Sequence, residues 1–531
     1  MEYSTEDPQQ VYDSIIHITD LTEFSTEDAF RHIGILIDTS SVLNKKDGLY
    51  LSIRLSVKLM ARELNDKQLC DLYYFLSNAW SDLRRLSRGE DGQDWNWEQE
   101  EMEYEIIYLR KALNSDGFSK LPKSRRCEIF TNLGNLMDRI GRFVEGAEYR
   151  NNALEIIPSF AMARGNMGIG FYHYANILYD IGHKVVFLKH AHYDLNTALD
   201  LGIIGQPRDI FDSYKHEIES ILPLATFEEE IEMDDFSLGD DETEIRYRDW
   251  CLKNRLFLNP LNDLGPYPIA ACDVLPLPDI TVGINEGPYY TGFFNQLKQE
   301  FVSARYLYYE GVNSNDLHFS DKDVLLFNTL DYPSYSLASE KVKIVFRMVY
   351  SLFDKIAYFL NKYLNLSIPE KRVSFRTLWY KSEDRRKGLR NEFQQRENWP
   401  LRGLFWLSKD LFENKPGFRI AIQPDAQNLS EIRNHLEHKY FKLHDEVYDP
   451  SFLKSYGLAD TLAYSIYRLD FYDKTLEIIK MVRSALIYLP LAVYCEELVH
   501  SKERGQDIKM FISKLDPTFR VLKLEVLNFS L

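Results

Sequence analysis

The sequence predicts an all-α protein built in two parts. Three observations carry this. Over residues 1 to about 222, apolar residues recur at every third or fourth position, and alternating β-branched runs are scarce. Within that region a segment repeats itself after 34 residues. The stretch "FEEEIEMDDFSLGDDETE" (227–244) then holds ten acids and no base. Such a composition cannot collapse on itself and reads as a solvated linker. The expected layout is helical repeats over 1–226, an acidic linker over 227–245 and a second helical unit over 246–531.

The repeat is read residue by residue. "TNLGNLM" (131–137) aligns with "GNMGIGF" (165–171), pairing Asn132 with Asn166, Leu133 with Met167, Gly134 with Gly168 and Met137 with Phe171. Gly134 lets a facing helix approach closely, Ala153 fits a crowded second helix, and Pro158 ends it. With Phe130, Leu133 and Met137, these offsets resemble a tetratricopeptide repeat, with Gly146 where that family favours alanine. The next unit is stretched, because "DIGH" comes seven residues late. "YYFLSNAW" (73–80) with "IIYLRKAL" (106–113) is a looser helix pair. An irregular helical bundle is the alternative. Stacked repeats make a concave surface suited to a peptide or protein ligand.

Bulk properties exclude several classes. Five scattered cysteines with no Cys-x-x-Cys argue against a disulfide framework or a thiolate zinc site and fit a reducing cytoplasm. The acidic start "MEYSTEDPQQ" is not a secretory signal. The longest apolar run, "SALIYLPLAVYC" (484–495), is short for a bilayer and contains Pro490, so no membrane is expected. Charge is divided unevenly. Residues 1–245 carry 24 bases and 45 acids, whereas 246–531 carry 39 and 36. Only the second part can hold a polyanion locally.

That second part opens on "YRDWCLKNRLFLNPLNDLGPYPIAACDVLPLPDI" (247–280), an irregular lead-in expected to pack rather than react. Helices are expected at about 290–310, 339–364, 401–413, 426–442 and 457–499. Between them, 371–402 holds ten bases and four acids. Phe375, Trp379 and Tyr380 interleave there with Arg372, Arg376, Lys381, Arg385, Arg386 and Lys387. Rings and cations so mixed suit stacked bases and phosphates; a solubilising surface loop is the other reading.

The helix 426–442 concentrates chemistry. Pro424 and Asp425 mark its start, with Asp425 as N-cap. Leu429, Ile432, Leu436, Tyr440 and Leu443 form one apolar stripe. Opposite the stripe lies His438, with Asn434 one turn before it. Arg433 flanks the stripe, roughly 140° round from His438. In one straight helix, Arg433 and His438 therefore diverge.

An Arg, a polar residue, three more residues and a His, late in a helical unit, resemble the HEPN superfamily (higher eukaryotes and prokaryotes nucleotide-binding). Here these are Arg433, Asn434, His435-Leu436-Glu437 and His438. The lead-in "YRDWCLKNRLFLNPLND" also resembles the start of a HEPN subgroup found downstream of tetratricopeptide repeats. The resemblance implies an endoribonuclease without metal or cofactor, working as a homodimer whose Arg433 and His438 pairs face one cleft. It implies a prokaryotic toxin or antiviral-defence role regulated by the repeats. Asn434 would orient His438 or touch phosphate, and His435 would contact substrate. Other readings stay open: a plain solvated face, a degenerate HEPN dimeriser on a repeat scaffold, a nucleotidyltransferase partner in trans, or a zinc site from His435, His438 and His444.

Overall fold

The computed structural model describes residues 7–87, 95–229, 232–281, 288–314, 317–327, 329, 331–382, 387–412, 424–445, 460 and 462–504. Helices dominate it, as the 3.6-residue periodicity requires. The first three, α1 (Pro8–Ile15), α2 (Thr26–Val42) and α3 (Lys46–Leu59), pack on part of α4 (Asp66–Ser87) around a small core of their own. Asp7 and Ser25 cap α1 and α2 through their side chains.

Hairpins follow. The helix α4 pairs with α5 (Glu100–Leu113), α6 (Lys123–Arg139) with α7 (Phe143–Ile156), and α8 (Ala161–Ile177) with α9 (Ile181–Asp200). The sequence repeat is a repeat of close approaches. A Cβ on Gly134 would sit 2.9 Å from the Gly146 carbonyl of α7, and one on Gly168 would sit 2.8 Å from the Ala191 carbonyl of α9. The late "DIGH" is explained by Asp180, whose carboxylate caps α9 by accepting from the His183 amide at 2.9 Å. Next, α10 (Gln206–Ile221) packs on α8 and α9, and the short α11 (Leu224–Glu228) leads into the acidic stretch.

That stretch is tied to the lead-in. Met233 is buried, and its carbonyl accepts from the Ile269 amide at 3.1 Å. The lead-in begins with α12 (Glu242–Lys253) and packs, as expected. Arg305 of α13 (Tyr289–Asn313) reaches both oxygens of Asp273 at 2.9 and 2.8 Å and the Leu256 carbonyl at 2.8 Å. The bundle is completed by α14 (Leu337–Tyr363), the short α15 (Asn391–Gln394), α16 (Trp399–Phe412), α17 (Pro424–His438), β1 (Phe441–His444), β2 (Tyr464–Tyr467) and α18 (Arg468–Arg504). In it, α13, α14 and α16 pack around α18, and α17 lies against α14 and α16. The stretch 468–502 is long and apolar enough to cross a membrane, yet 83% of its apolar window is buried in this core.

Two boundaries differ from expectation. Asp425 lies inside α17 rather than capping it, because Pro424 is already its first residue. The same helix stops at His438, and the chain turns extended as β1, pairing in parallel with β2 in the register Phe441 to Tyr464 through His444 to Tyr467. Leu443 is buried from a strand, and Tyr440 is exposed between the two elements. The last expected helix accordingly begins at Arg468, not 457.

The two halves share one core, which runs from Cys70 to Val493. Gly141, at φ 85°, turns between α6 and α7 where a side chain would run into the Trp399 carbonyl of α16. Phe143 meets the rings of Trp399 and Tyr488 at 4.6 and 4.8 Å. Asp410 of α16 takes both terminal nitrogens of Arg110 at 2.9 Å and is also paired with Arg142. Lys409 pairs with Glu103, and the Trp97 indole donates to the Arg396 carbonyl at 3.1 Å. A sealed, partly ionic interface therefore joins the two halves.

Removing Asp410 strands the buried Arg110 guanidinium and leaves Arg142 with Glu145 alone. Asp410→Ala is expected to lower unfolding stability by about 3–5 kcal/mol, read as a urea midpoint shift. The two arginines hold the Asp410 carboxyl below its ordinary value, against burial, which acts to raise it. Its contribution is thus complete at neutral pH and fades only as pH falls below the ordinary carboxylate range. An Asp410→Ala protein as stable as the parent at pH 7 would contradict this.

Candidate functional site

The helix α17 presents the sequence-predicted cluster. Leu429 and Ile432 are fully buried and Leu436 packs partly against the core, so the stripe holds through Leu436. The opposite side faces water: Asn434 is exposed, and the His438 side chain is 72% exposed. Arg433 lies between, 37% exposed, with its guanidinium over the ring of Tyr350 at 5.3 Å from the centroid. Tyr350 and Asp354 stand one turn apart on α14.

Arg433 and His438 meet through Glu437. One carboxylate oxygen of Glu437 lies 3.3 Å from Arg433 and 3.5 Å from the Nε2 of His438. The angular argument puts them far apart round the axis. Long side chains close that gap, because a residue at i+4 stacks over Arg433 and is also the immediate neighbour of His438. A guanidinium and an imidazole therefore flank the position of a single oxyanion at the exposed end of one helix.

The remaining predicted residues divide. His435 donates through Nδ1 to the Glu431 carbonyl at 2.8 Å and lies 5.0 Å, ring to ring, from Tyr464. Its Nε2 edge is the part left for a ligand. Arg372, Arg376 and Lys381 are exposed, whereas Arg385 and Arg386 lie outside the described residues. The segment that carries the exposed cations is pinned beside Arg433, since the Phe375 amide donates to Asp354 at 2.9 Å.

Trp379 corrects the stacking expectation. It is fully buried, its indole donates to the Phe375 carbonyl at 2.9 Å, and it contacts Phe393 and Phe405 at 5.1 and 5.7 Å. Phe375 and Tyr380 are buried as well. Their ring faces are spent on the core, so any base stacking must use other rings.

His444 is likewise absent from the cluster. It is buried in β1, with Nδ1 on the Asp331 carbonyl at 2.9 Å and Nε2 on Ser465 at 3.1 Å. Burial pushes its imidazole below the ordinary value, which keeps it neutral. Beside it, Lys442 is paired with Asp331 and Asp460 at 2.5 and 2.9 Å. The three histidines of the zinc reading are therefore not gathered, and no group of three potential metal ligands occurs among the described residues.

Sequence reasoning missed Tyr350 and Asp354. Burial pushes the Asp354 carboxyl up and Glu437 adds to the rise, while the Phe375 amide and Arg433 pull it down. Both residues sit in an ordinary amphipathic helix, and no spacing marks them. Only the crossing of α17 over α14 does.

A helical bundle with an Arg-and-His face on a short exposed helix defines a class, and comparison with known families names it. Residues 281–496 match the family model for LA2681-like HEPN. The C-terminal part of the chain is thus similar to HEPN domains over that range. The match begins after the lead-in, and no family model covers the N-terminal hairpins. No curated protein and no solved structure matches the chain.

Glu437 places its carboxylate between Arg433 and His438. If this face binds RNA, as proposed below, Glu437→Gln is expected to tighten that binding about two- to fivefold, the reach of an exposed ion pair. Fluorescence anisotropy at fixed salt measures this, and weaker binding by the variant would reverse the assignment.

Proposed function

We propose that the protein is a metal-independent endoribonuclease of HEPN type. The observation that supports it best is the convergence of Arg433 and His438 on one oxyanion position at the water-exposed end of α17. RNA carries its own nucleophile, the 2′-hydroxyl. The His438 imidazole takes that proton, or protonates the leaving oxygen. The 2′-oxygen attacks phosphorus and the bond to the 5′-oxygen breaks, leaving a 2′,3′-cyclic phosphate and a 5′-hydroxyl. Arg433 holds the phosphate edge-on and stabilises the charge that develops. Asn434, exposed one turn before His438, is placed to orient the imidazole or the phosphate. Arg372, Arg376 and Lys381 supply flanking phosphate contacts, together with the Nε2 edge of His435.

One chain offers one Arg433 and one His438, and a single imidazole cannot both accept and donate in the same step. A homodimer through the HEPN domain, with two α17 helices across a shared cleft, supplies the second. In this reading the N-terminal hairpins, of tetratricopeptide type, regulate the domain in a cytoplasmic toxin or antiviral-defence effector. They do so through the sealed interface rather than by swinging on a linker. The alternative is a non-catalytic repeat scaffold that uses the HEPN domain to dimerise. The Glu437 carboxylate, which already lies against both Arg433 and His438, favours that alternative.

Purified full-length protein with total RNA in EDTA separates the two. Cleavage is expected to survive chelation and to leave DNA intact. Arg433→Ala and His438→Ala are each expected to slow it by about 10²–10⁴-fold. Products bearing a 3′-hydroxyl, or activity restored only by a divalent metal, would defeat the mechanism. In sedimentation, the active species is expected to have twice the chain mass, and a cleaving monomer would defeat the dimeric cleft.

A further inference from the structure

We infer that Tyr350 is the positioning residue for Arg433, an aromatic seat that fixes the guanidinium while leaving its nitrogen edge free for phosphate. The inference rests on the ribonuclease reading and adds a residue to that site.

Arg433 is held from two unlike sides. On one side is Glu437, an exposed carboxylate on a flexible stem, 3.3 Å away. On the other is the ring of Tyr350, 5.3 Å from the guanidinium carbon. That ring is rigid. Tyr350 is 4% exposed and boxed by other aromatics, with Phe353 at 6.4 Å and 84°, Phe412 at 6.2 Å and 87°, and Phe346 at 6.3 Å and 19°. An incoming phosphate can displace the carboxylate, but it has no means of displacing the ring.

The chemistry of arginine makes the arrangement useful. A guanidinium is flat, and all five of its N–H groups lie in its plane. A ring beside the guanidinium takes up none of them as an ion pair does, whereas a buried carboxylate would consume two in a fork. The attraction of the cation for the ring also limits rocking of the long stem. Loose positioning by about an ångström costs on the order of 10²-fold in rate, so a fixed seat matters.

The seat also extends into the N-terminal half. Phe412 ends α16 two residues after Asp410, which Arg110 of α5 and Arg142 at the start of α7 hold. The wall behind Tyr350 is therefore set by the helices that precede the HEPN domain.

The test uses the full chain with Tyr350→Phe, Tyr350→Leu and Tyr350→Met, each alone and with Arg433→Ala. Methionine serves as the second ring-free variant because its flexible side chain adapts to core gaps. Circular dichroism and thermal melting select folded proteins. Two quantities are read in EDTA: kcat and KM on an RNA oligonucleotide, and affinity for its 2′-deoxy analogue, which cannot be cleaved. Tyr350→Phe should stay within about twofold of the parent, because the ring remains. The ring-free variants should lose about tenfold or more in kcat and about threefold or more in affinity for the uncleavable analogue. In the Arg433→Ala background, removing the ring should cost no further affinity, since the two act as one unit. Parent-like kcat in both ring-free variants overturns the seat, and so does an additive affinity loss in that background. If the parent cuts no RNA, the ribonuclease reading falls separately. The affinity measurements then still decide whether Tyr350 works through Arg433.

Discussion

Asp410 lies between Arg110 and Arg142 with almost no water on any of the three side chains. The relation between the two halves of the molecule depends on this triad. Its value is not primarily net stability, since a buried ion cluster roughly breaks even against an apolar replacement. Its value is that no other arrangement is affordable. Sliding α16 along α5 or α7 would leave a charge in a dry interior. The fork of Arg110 on both oxygens of Asp410 also sets the rotation of α16 about its own axis. Apolar contacts such as Phe143 against Trp399 fill the same interface without demanding one register.

The site inherits this constraint. The helix α17 is short, and its described hold on the core is Leu429, Ile432 and part of Leu436. Its two neighbours give it shape: α16, whose last turn carries Asp410 and Phe412, and α14, which carries Tyr350 and Asp354. A cation–ring contact that would be weak at an open surface is backed here by a close-packed aromatic box. The exposed side of α17 is under no such restraint. There the Glu437 carboxylate can leave, and Asn434 and His438 face water. The helix is thus fixed on one side and free on the other.

The acidic stretch has a different meaning once the interface is in place. Ten acids in eighteen residues do repel one another, and most of the described part is exposed. The segment nevertheless does not decide whether the halves move. That is decided by the area they bury together and by the buried charges within it. A composition argument addresses the segment alone and says nothing about what its two ends are attached to.

Much of the fold was legible because helices announce themselves locally. Apolar spacing placed most of the helices, and the 34-residue echo located Gly134 and Gly168, where backbones touch because a Cβ would not fit. The apolar stripe gave the buried side of α17 correctly as far as Leu436, and the Arg-to-His spacing picked out the residues that meet at Glu437. Elsewhere the same local evidence misled. Nothing in Tyr440 to Leu443 says that a helix has ended, because a strand needs a partner and that partner begins at Tyr464. Trp379 among cations reads as a binding platform, yet it is core, because Trp97, Phe393 and Phe405 arrive from elsewhere in the chain to cover it. The sequence by itself determined the helices, the repeat and the identity of the polar cluster, all of which are set by contacts a few residues apart. The tertiary structure decided which aromatics are buried, which histidine joins the site and what holds Arg433. Those depend on residues far apart in the chain, brought together by burial and charge pairing that no local pattern records.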